Sequence, residues 1–210
     1  KADGSTSLWS SPSGDARTWQ KIDGAPGGLM QVFGDNLYVG GTQNEQAALW
    51  RSSNGTTWTP IFTDGLGDAN SYVSALAQFG DSLYLGTRNA TGGQVWRSSN
   101  GVDWSPSFRA GMGNPDNQRV YGLIASSSHL YAMLNNFVTG AEVWSTAGSD
   151  AWAPAGLNGM GDSFNWMNSY FGRGTAMFDD DLYIGTYNTH GAQVLRLNLA
   201  NRIYLPAVQK

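Results

Sequence analysis

Short runs in which apolar and polar residues alternate dominate the chain. Leu37-Tyr38-Val39, Leu83-Tyr84-Leu85 and Leu182-Tyr183-Ile184 are three such runs, built from aliphatic and aromatic residues. Alternation with a period of two places successive side chains on opposite faces of a strand. No window sustains the 3.6-residue period of an amphipathic helix. The pattern therefore predicts an all-β protein with almost no helix.

Turn residues divide the chain into hairpins. Gly80-Asp81-Ser82 separates two predicted strands, Tyr72–Phe79 and Ser82–Thr87, and so short a link requires them to pair as antiparallel neighbours. Asn54-Gly55 and Asn100-Gly101 connect a third strand to a fourth, and they predict type I′ turns because both residue types tolerate positive φ. The third and fourth strands of the second full repeat are predicted at residues 93–98 and 102–107.

The same pattern of four strands recurs along the chain. Its Leu-Tyr pairs begin at Leu37, Leu83, Leu130 and Leu182, at spacings of 46, 47 and 52 residues. Four antiparallel strands in this length are typical of a propeller blade, and one blade buries both faces only against neighbours. We therefore predict a β-propeller of about five blades. Its single domain covers residues 1–202, with a last strand or tail at 203–210, and its repeats span about 7–22 (partial), 28–62, 72–108, 119–155 and 170–208.

Two of the links between third and fourth strands share a distinctive sequence. The segments Ser52-Ser53-Asn54-Gly55-Thr56-Thr57-Trp58 and Ser98-Ser99-Asn100-Gly101-Val102-Asp103-Trp104 resemble the Asp-box of sialidase-like propellers, also called the bacterial neuraminidase repeat. Asn54 and Asn100 stand where that family prefers Asp, and each box is shorter than the family's. The resemblance implies a propeller fold in which the box is a structural turn at the blade periphery. Degenerate copies lie at residues 11–19 and 145–152.

The two ends leave the closure of the ring open. Residues 7–22 resemble the third and fourth strands of a blade without the first two, and residues 170–197 supply strands one to three. Either Ile203–Val208 is the fourth strand of the last blade, or one terminal third strand is displaced. A fragment of a larger propeller and closure through another chain are the alternatives to a five-bladed ring.

Composition narrows the range of partners. Charged residues make up 13% of the chain, and the 28 glycines and nine tryptophans predict a fold built on tight turns and aromatic packing. Sixteen acidic and twelve basic residues give a net charge of -4 with no basic cluster, so nucleic acid is not an expected partner. No apolar run approaches the ~20 residues that span a bilayer, so membrane insertion is not expected. We expect a secreted or cell-surface protein.

The two faces of the predicted blades differ in their links. Links from strand one to two and from three to four are short and uniform, whereas the links on the other face are long and vary between repeats. Variable loops on one face of a scaffold are typical of binding surfaces. Their Tyr, Trp, Asn and Arg residues suit a sugar, because rings stack on pyranose faces while amides and guanidinium groups pair with hydroxyls. The predicted ligand-binding residues are Tyr72, Arg88, Asn117, Arg119, Tyr121, Asn135, Trp166, Asn168, Arg173 and Tyr187.

We therefore predict a lectin-like, carbohydrate-binding module whose partner is a glycan or another small polar ligand. A structural or protein-interaction domain of a larger surface protein is one alternative, and it includes self-association or contact with a parent chain. A glycoside hydrolase of the Asp-box type is the other, because sialidases of this fold hold a carboxylate with three arginines, for which Arg88, Arg119 and Arg173 are the candidates. A glycosidase also needs two carboxylates across the scissile bond. The candidate acids are Asp68, Asp116 and Asp162, whereas Glu142 occupies a position that is Gln in two other repeats and is assigned to packing.

No cofactor and no catalytic residue are assigned. Asp64, Asp68 and Asn70 offer oxygen ligands to calcium, and a calcium site in this loop is the alternative to a self-contained turn. His129 and His190 fall in different repeats, which gives little support to a zinc site or a histidine-based triad. The absence of cysteine excludes disulfides and thiolate metal sites.

Overall fold

A computed structural model describes residues 7–167, 174–198 and 203–206, and this part of the chain is built from β-strands. Helical structure within it is confined to single turns at Gly65–Gly67, Ala110–Gly113 and Asn158–Gly161. The strands are β1 (Trp9–Ser10), β2 (Gln20–Lys21), β3 (Leu29–Phe33), β4 (Asn36–Gln43), β5 (Gln46–Ser52), β6 (Thr59–Phe62), β7 (Asn70–Phe79), β8 (Ser82–Asn89), β9 (Val95–Ser98), β10 (Ser105–Phe108), β11 (Val120–Ala125), β12 (Leu130–Leu134), β13 (Glu142–Thr146), β14 (Ala153–Gly156), β15 (Trp166–Met167), β16 (Thr175–Phe178), β17 (Asp181–Tyr187), β18 (Val194–Asn198) and β19 (Ile203–Pro206).

The strands form successive antiparallel sheets in which sequence neighbours pair. Three sheets have the orders β3-β4-β5-β6, β7-β8-β9-β10 and β11-β12-β13-β14. A fourth follows the path β16-β17-β18-β19, with β15 also paired to β17, and β1 pairs with β2 alone. The predicted all-β class and its four-stranded units are confirmed. Among the described residues, no helix is long and apolar enough to cross a membrane.

The chain divides into two compact units, residues 1–73 and 74–210. The first unit buries Tyr38, Val39 and Leu49, which lie on the paired strands β4 and β5. In the second unit the period of two along β12 sends alternate residues into two separate apolar clusters. One cluster contains Leu130, Ala132 and Leu134 together with residues of β7 to β11, and the other contains Tyr131 and Met133 together with residues of β13 to β18. β12 is therefore buried on both faces, as a strand between two neighbouring sheets must be.

The links between third and fourth strands differ from the type I′ turns that the sequence predicts. Gly55 has a φ of 75°, but Asn54 is not left-handed, and six residues separate β5 from β6. The Asn54 Oδ1 atom accepts hydrogen bonds from the Thr56 and Thr57 amides, at 2.9 and 2.8 Å. Ser52 Oγ accepts from the Gly55 amide at 2.8 Å. The type I′ prediction is wrong because these two side chains satisfy the backbone of a longer loop.

The same contacts recur in the neighbouring repeat. Asn100 Oδ1 accepts from the amides of Val102 and Asp103, both at 2.9 Å, and Ser98 Oγ accepts from the Gly101 amide at 2.8 Å. These loops therefore use their polar side chains for their own structure.

Three repeat-related loops each contain a left-handed helical turn. Leu66, Met112 and Met160 have φ values of 62°, 62° and 54° at the centres of these turns. A left-handed conformation costs a residue with a Cβ atom about 1–2 kcal/mol. Contacts from outside each turn must therefore hold it in place.

A buried asparagine holds each of these turns. The side-chain Nδ2 atoms of Asn70, Asn117 and Asn165 donate to the carbonyl oxygens of Gly65, Gly111 and Gly159, each at 2.9 Å. In the second unit the same amide also reaches the next sheet, because Asn117 Nδ2 donates to Glu142 Oε2 at 2.9 Å and Asn165 Nδ2 to Gln193 Oε1 at 3.0 Å. Gly111 is required at its position, since its φ is 58° and an added Cβ would lie 2.8 Å from the Asn117 Cβ atom. We call this arrangement the asparagine clamp.

Glu142 is a packing residue, in agreement with its assignment from the sequence. Its Oε2 atom accepts from both Asn117 Nδ2 and Trp144 Nε1, each at 2.9 Å. Gln94 accepts the Trp96 Nε1 hydrogen bond at 2.9 Å in the same way. One Glu142 oxygen therefore serves both donors, and the amide oxygen of Gln94 accepts the equivalent tryptophan hydrogen bond.

Replacement of Glu142 tests this role. We expect Glu142→Gln to change the free energy of unfolding by less than about 0.5 kcal/mol, because the amide oxygen keeps both acceptor contacts. Glu142→Ala should lower it by about 1–3 kcal/mol, since two buried donors lose their acceptor. Urea denaturation measures both values, and a glutamine variant as unstable as the alanine variant would contradict the assignment.

Candidate functional site

The long links that join second to third strands and those that join a fourth strand to the next sheet meet on one face of the second unit. The Ala141 amide donates to the Asn165 carbonyl at 2.7 Å, and the Gly159 amide donates to the Ala141 carbonyl at 3.0 Å. The link between strands β12 and β13 is thereby joined to the link between β14 and β15. The sequence predicts this common face, and the hydrogen bonds confirm it within this unit.

An exposed cluster of aromatic rings lies where these loops meet. Trp166 is at its centre, with ring centroids 5.9 Å from Phe137, 6.3 Å from Phe164 and 6.1 Å from Tyr187. The His190 ring meets the Phe164 ring edge to face at 4.7 Å. Phe137, Tyr187 and Phe164 are 65%, 56% and 45% exposed. We call these five residues the aromatic platform, and apolar surface of this kind is unusual on a protein unless it binds something.

The local sequence places each ring on this surface. Trp166 and Tyr187 are directly opposed partners on β15 and β17, so their side chains lie on the same side of the sheet. Their rings are nearly parallel, at 18°. The Asn136 Oδ1 atom accepts from the amides of Val138 and Thr139, both at 2.9 Å, which fixes the turn that presents Phe137. Asn165, the clamp residue immediately before Trp166, anchors the other side.

A carboxylate lies beside the platform. Asp162 Oδ1 accepts from the Phe164 amide and Oδ2 accepts from Asn188 Nδ2, both at 2.9 Å. The Phe164 amide hydrogen bond lowers the pKa of Asp162 most, followed by the Asn188 hydrogen bond and the charge of His190. Asp162 is therefore ionised at neutral pH, and it is bonded to the backbone of the platform residue Phe164 and to the side chain of Asn188, which directly follows Tyr187.

The structure places the predicted ligand-binding residues in several groups. Trp166 and Tyr187 belong to the platform. Arg88 and Arg119 form a second group, because they are bridged through their backbones and the Arg119 guanidinium lies 4.4 Å from the Tyr121 ring centroid. Tyr121 also borders a small apolar cavity with Met133 and Met167. Tyr72 is half-buried on β7 in the first unit, and Asn168 and Arg173 lie outside the described residues.

Asn117 and Asn135 face the protein interior instead of a ligand. Asn117 is fully buried in the asparagine clamp. Asn135 is also buried, and its side-chain amide pairs with the backbone of Met167, donating to the carbonyl and accepting from the amide. Both positions were predicted from their place at the long-loop face, where the sequence does not separate amides that hold a loop from amides that reach solvent.

Phe137, Phe164 and His190 are not among the ligand-binding residues that the sequence predicts. Phe137 and Val138 form an apolar pair inside a loop bounded by Asn136 and Gly140. Two adjacent apolar residues in a link that is otherwise polar are a signal of exposed apolar surface, and this signal was available. The contact between Phe164 and Trp166 depends on the left-handed turn and had no sequence signal.

Acidic side chains of the long loops serve the loops themselves. Asp64 Oδ1 accepts from the Leu66 amide at 3.1 Å and Asp68 Oδ1 from the Ala69 amide at 2.7 Å, while Asn70 belongs to the clamp. No group of three or more Asp, Glu or His side chains able to hold a metal ion occurs among the described residues. The calcium and hydrolase alternatives stay predictions.

These sheets and loops define the class of protein as a β-propeller. The family described as the DUF6242 beta propeller domain matches residues 27–158, which is more than half of the 210-residue chain. The chain belongs to this family. No curated protein sequence matches the chain. The narrower resemblance to Asp-box, sialidase-like propellers stays a prediction, as does the number of blades.

Solved structures share the fold at low sequence identity. A putative TolB from Agrobacterium tumefaciens has a TM-score of 0.56 and 11% identity, over 95% of this chain and 73% of that chain. A prolyl endopeptidase has a TM-score of 0.56 and 16% identity, over 89% of this chain and 29% of that chain. The acylaminoacyl peptidase of Pyrococcus horikoshii has a TM-score of 0.55 and 11% identity, over 87% and 27%. The chain thus spans less than a third of either peptidase, and the likeness concerns the fold alone.

The equivalent loops at residues 110–117 and 158–165 differ in one side chain that affects stability. Asn114 occupies the position of Asp162 in the preceding repeat, and its Oδ1 accepts from the Asp116 amide at 3.0 Å. Asn136, the counterpart of Asn188, has a buried Nδ2 atom without a hydrogen-bond partner among the residues described. We expect Asn114→Asp to raise the free energy of unfolding by about 1 kcal/mol, because the added carboxylate oxygen supplies that acceptor.

Urea denaturation at 0.15 M salt, which reduces repulsion from Asp116, measures the effect. Asn114→Ala is the control, and it should destabilise the protein because the Asp116 amide loses its acceptor. An aspartate variant less stable than the original protein would contradict the equivalence of the two loops.

Proposed function

We propose that the protein binds carbohydrate chains through the aromatic platform. One observation carries this proposal: Trp166 is surrounded by three aromatic rings at 5.9–6.3 Å, and those three are exposed on the variable-loop face. Secretion or display at the cell surface, where glycans are accessible, is part of the same proposal.

The chemistry of the platform suits sugars whose hydroxyl groups are equatorial. Such a pyranose directs its axial C–H bonds to the two faces of the ring, so that each face is flat and apolar. Aromatic side chains stack against this kind of surface, while their edges and neighbouring polar groups meet the hydroxyls. A β-1,4-linked glucan presents these faces along its whole length, and it is the ligand we propose.

The size of the platform favours a chain over a single sugar. Phe137 and Phe164 extend the surface away from the Trp166–Tyr187 pair, on loops that belong to neighbouring repeats. Each additional sugar in contact with a ring buries more apolar surface and strengthens binding. Affinity should therefore rise with chain length.

A contact with another protein is the second candidate function. Val138 is 72% exposed beside Phe137 and extends the apolar surface with a side chain that has no flat face for a sugar. Protein interfaces are enriched in such aromatic and aliphatic clusters. Self-association through this surface belongs to the same candidate.

Calorimetric titration with glucose, cellobiose and cellohexaose tests the glycan proposal. We expect the affinity to increase along this series, and Trp166→Ala to weaken cellohexaose binding at least about tenfold, because the central ring of the platform is lost. Phe137→Ala should also weaken binding but leave thermal stability unchanged, since this ring is 65% exposed.

Phe178→Ala is the matched control. Phe178 is an aromatic residue on β16 that is 71% exposed and contacts the Tyr183 ring, outside the platform. Its removal should not alter cellohexaose binding. Folded Trp166→Ala protein with unchanged affinity would overturn the proposal, and an original protein that binds no sugar of the series would favour the protein-contact candidate.

A further inference from the structure

The carboxylate of Asp162 is held in a fixed position at the border of the platform. One of its oxygens is bonded to the backbone amide of Phe164 and the other to the side chain of Asn188, which precedes the loop containing His190. Phe164 is itself a platform residue, and Asn188 directly follows Tyr187. Two sides of the platform therefore converge on this one charged group.

The two hydrogen bonds leave the carboxylate able to make further contacts. An ionised carboxylate accepts about four hydrogen bonds, and the donors Phe164 and Asn188 use two of these sites. The remaining sites can accept sugar hydroxyls, as the amide oxygen of an asparagine at this position also can. The charge itself stays on the group, because both donors are uncharged and neither neutralises it.

The charged groups that face Asp162 are few among the residues that the structure describes. The neighbouring side chains Asn165 and Asn188 are neutral amides that bond to each other, from Asn188 Nδ2 to Asn165 Oδ1 at 2.8 Å. His190 is the titratable residue whose charge acts on Asp162. When the His190 imidazole is neutral, a second carboxylate brought onto the platform by a ligand would meet the negative charge of Asp162.

We propose that Asp162 makes the glycan site selective for charge, so that it accepts an uncharged β-1,4-linked chain and rejects a chain of the same linkage with a carboxylate on every sugar. This inference rests on the proposed function and specifies its substrate class. Asp162 is a specificity-determining residue here, whereas the rings supply most of the binding surface.

Internal repetition provides a ready variant for the test. Asn114 occupies the equivalent place in the preceding repeat, and its side-chain oxygen accepts from the Asp116 amide as Asp162 accepts from the Phe164 amide. Asparagine is thus compatible with the loop conformation, and Asp162→Asn removes the charge while keeping an acceptor for the Phe164 amide.

The experiment compares cellohexaose with the β-1,4-linked hexamer of glucuronic acid, titrated into the 210-residue chain and into Asp162→Asn. We expect the unsubstituted protein to bind cellohexaose at least about fivefold more tightly than the uronate at 0.05 M salt, the scale of one like-charge contact in water. This preference should shrink at 1 M salt, because screening then acts over about 3 Å. The net charge of -4 repels the uronate in both proteins, so the deciding quantity is the salt-dependent difference between the unsubstituted protein and Asp162→Asn, which a role in loop structure alone would not produce.

The Asp162→Asn variant should gain affinity for the uronate and keep its affinity for cellohexaose. Ser99→Asp, which adds a charge to the exposed link between β9 and β10, outside the platform, should leave the preference unchanged. Equal binding of both hexamers by the unsubstituted protein, or a preference that is as large in Asp162→Asn as in the unsubstituted protein, would overturn the charge selectivity and leave the glycan proposal intact. Failure of both hexamers to bind either protein would overturn the two proposals together.

Discussion

The arrangement of the long loops depends on one interaction, the hydrogen bonds of a buried asparagine amide at the start of each repeat. Asn117 and Asn165 each bond to the carbonyl of a left-handed turn and to a side chain on the next sheet. Left-handed turns containing Met112 and Met160 are costly on their own. The buried amide offsets part of this cost, because each of its hydrogen bonds contributes about 1 kcal/mol.

The clamp also explains why the aromatic platform arises at one place on a repetitive scaffold. Residues that hold the loops are the same or chemically similar in each repeat, as Gln94, Glu142 and Gln193 illustrate. Residues next to the clamp are free to differ between repeats, because their side chains do not make the hydrogen bonds that hold the loop. The position after Asn165 holds Trp166 at the start of β15, and the same face receives Phe137 from the link between β12 and β13 and Tyr187 from the end of β17. Repetition supplies the position of the surface, and local variation supplies its chemistry.

Much of the fold could be predicted from the sequence, because its signals are local. Alternating runs and tight turns such as Gly80-Asp81 determine strands and hairpins through neighbouring residues alone. The Asn54 and Asn100 loops were mistaken for type I′ turns because Asn-Gly suits that turn, whereas the preceding serine and the asparagine side chain together stabilise a longer one. The same residues suit both the type I′ turn and the longer loop, and the choice between these two conformations depends on packing.

The candidate site could be predicted only in part. Trp166 and Tyr187 were identified by their residue types and by their face, and the structure brings these two together. Asn117 and Asn135 share the same face and residue chemistry but are buried, since each amide finds partners that are distant in sequence. Burial of a polar side chain is a property of the assembled sheets, which no local pattern contains.

The central claim is that the half-buried ring of Trp166, at the centre of the platform, contacts the ligand, while tryptophans such as Trp96 and Trp144 serve the scaffold through hydrogen bonds to Gln94 and Glu142. Titration of ¹⁵N-labelled protein with cellohexaose, followed through the indole N–H signals, tests it most directly. The Trp166 signal, assigned by its loss in Trp166→Phe, should shift with ligand concentration while those of Trp96 and Trp144 stay in place. An unchanged Trp166 signal under conditions where cellohexaose binds would contradict the account.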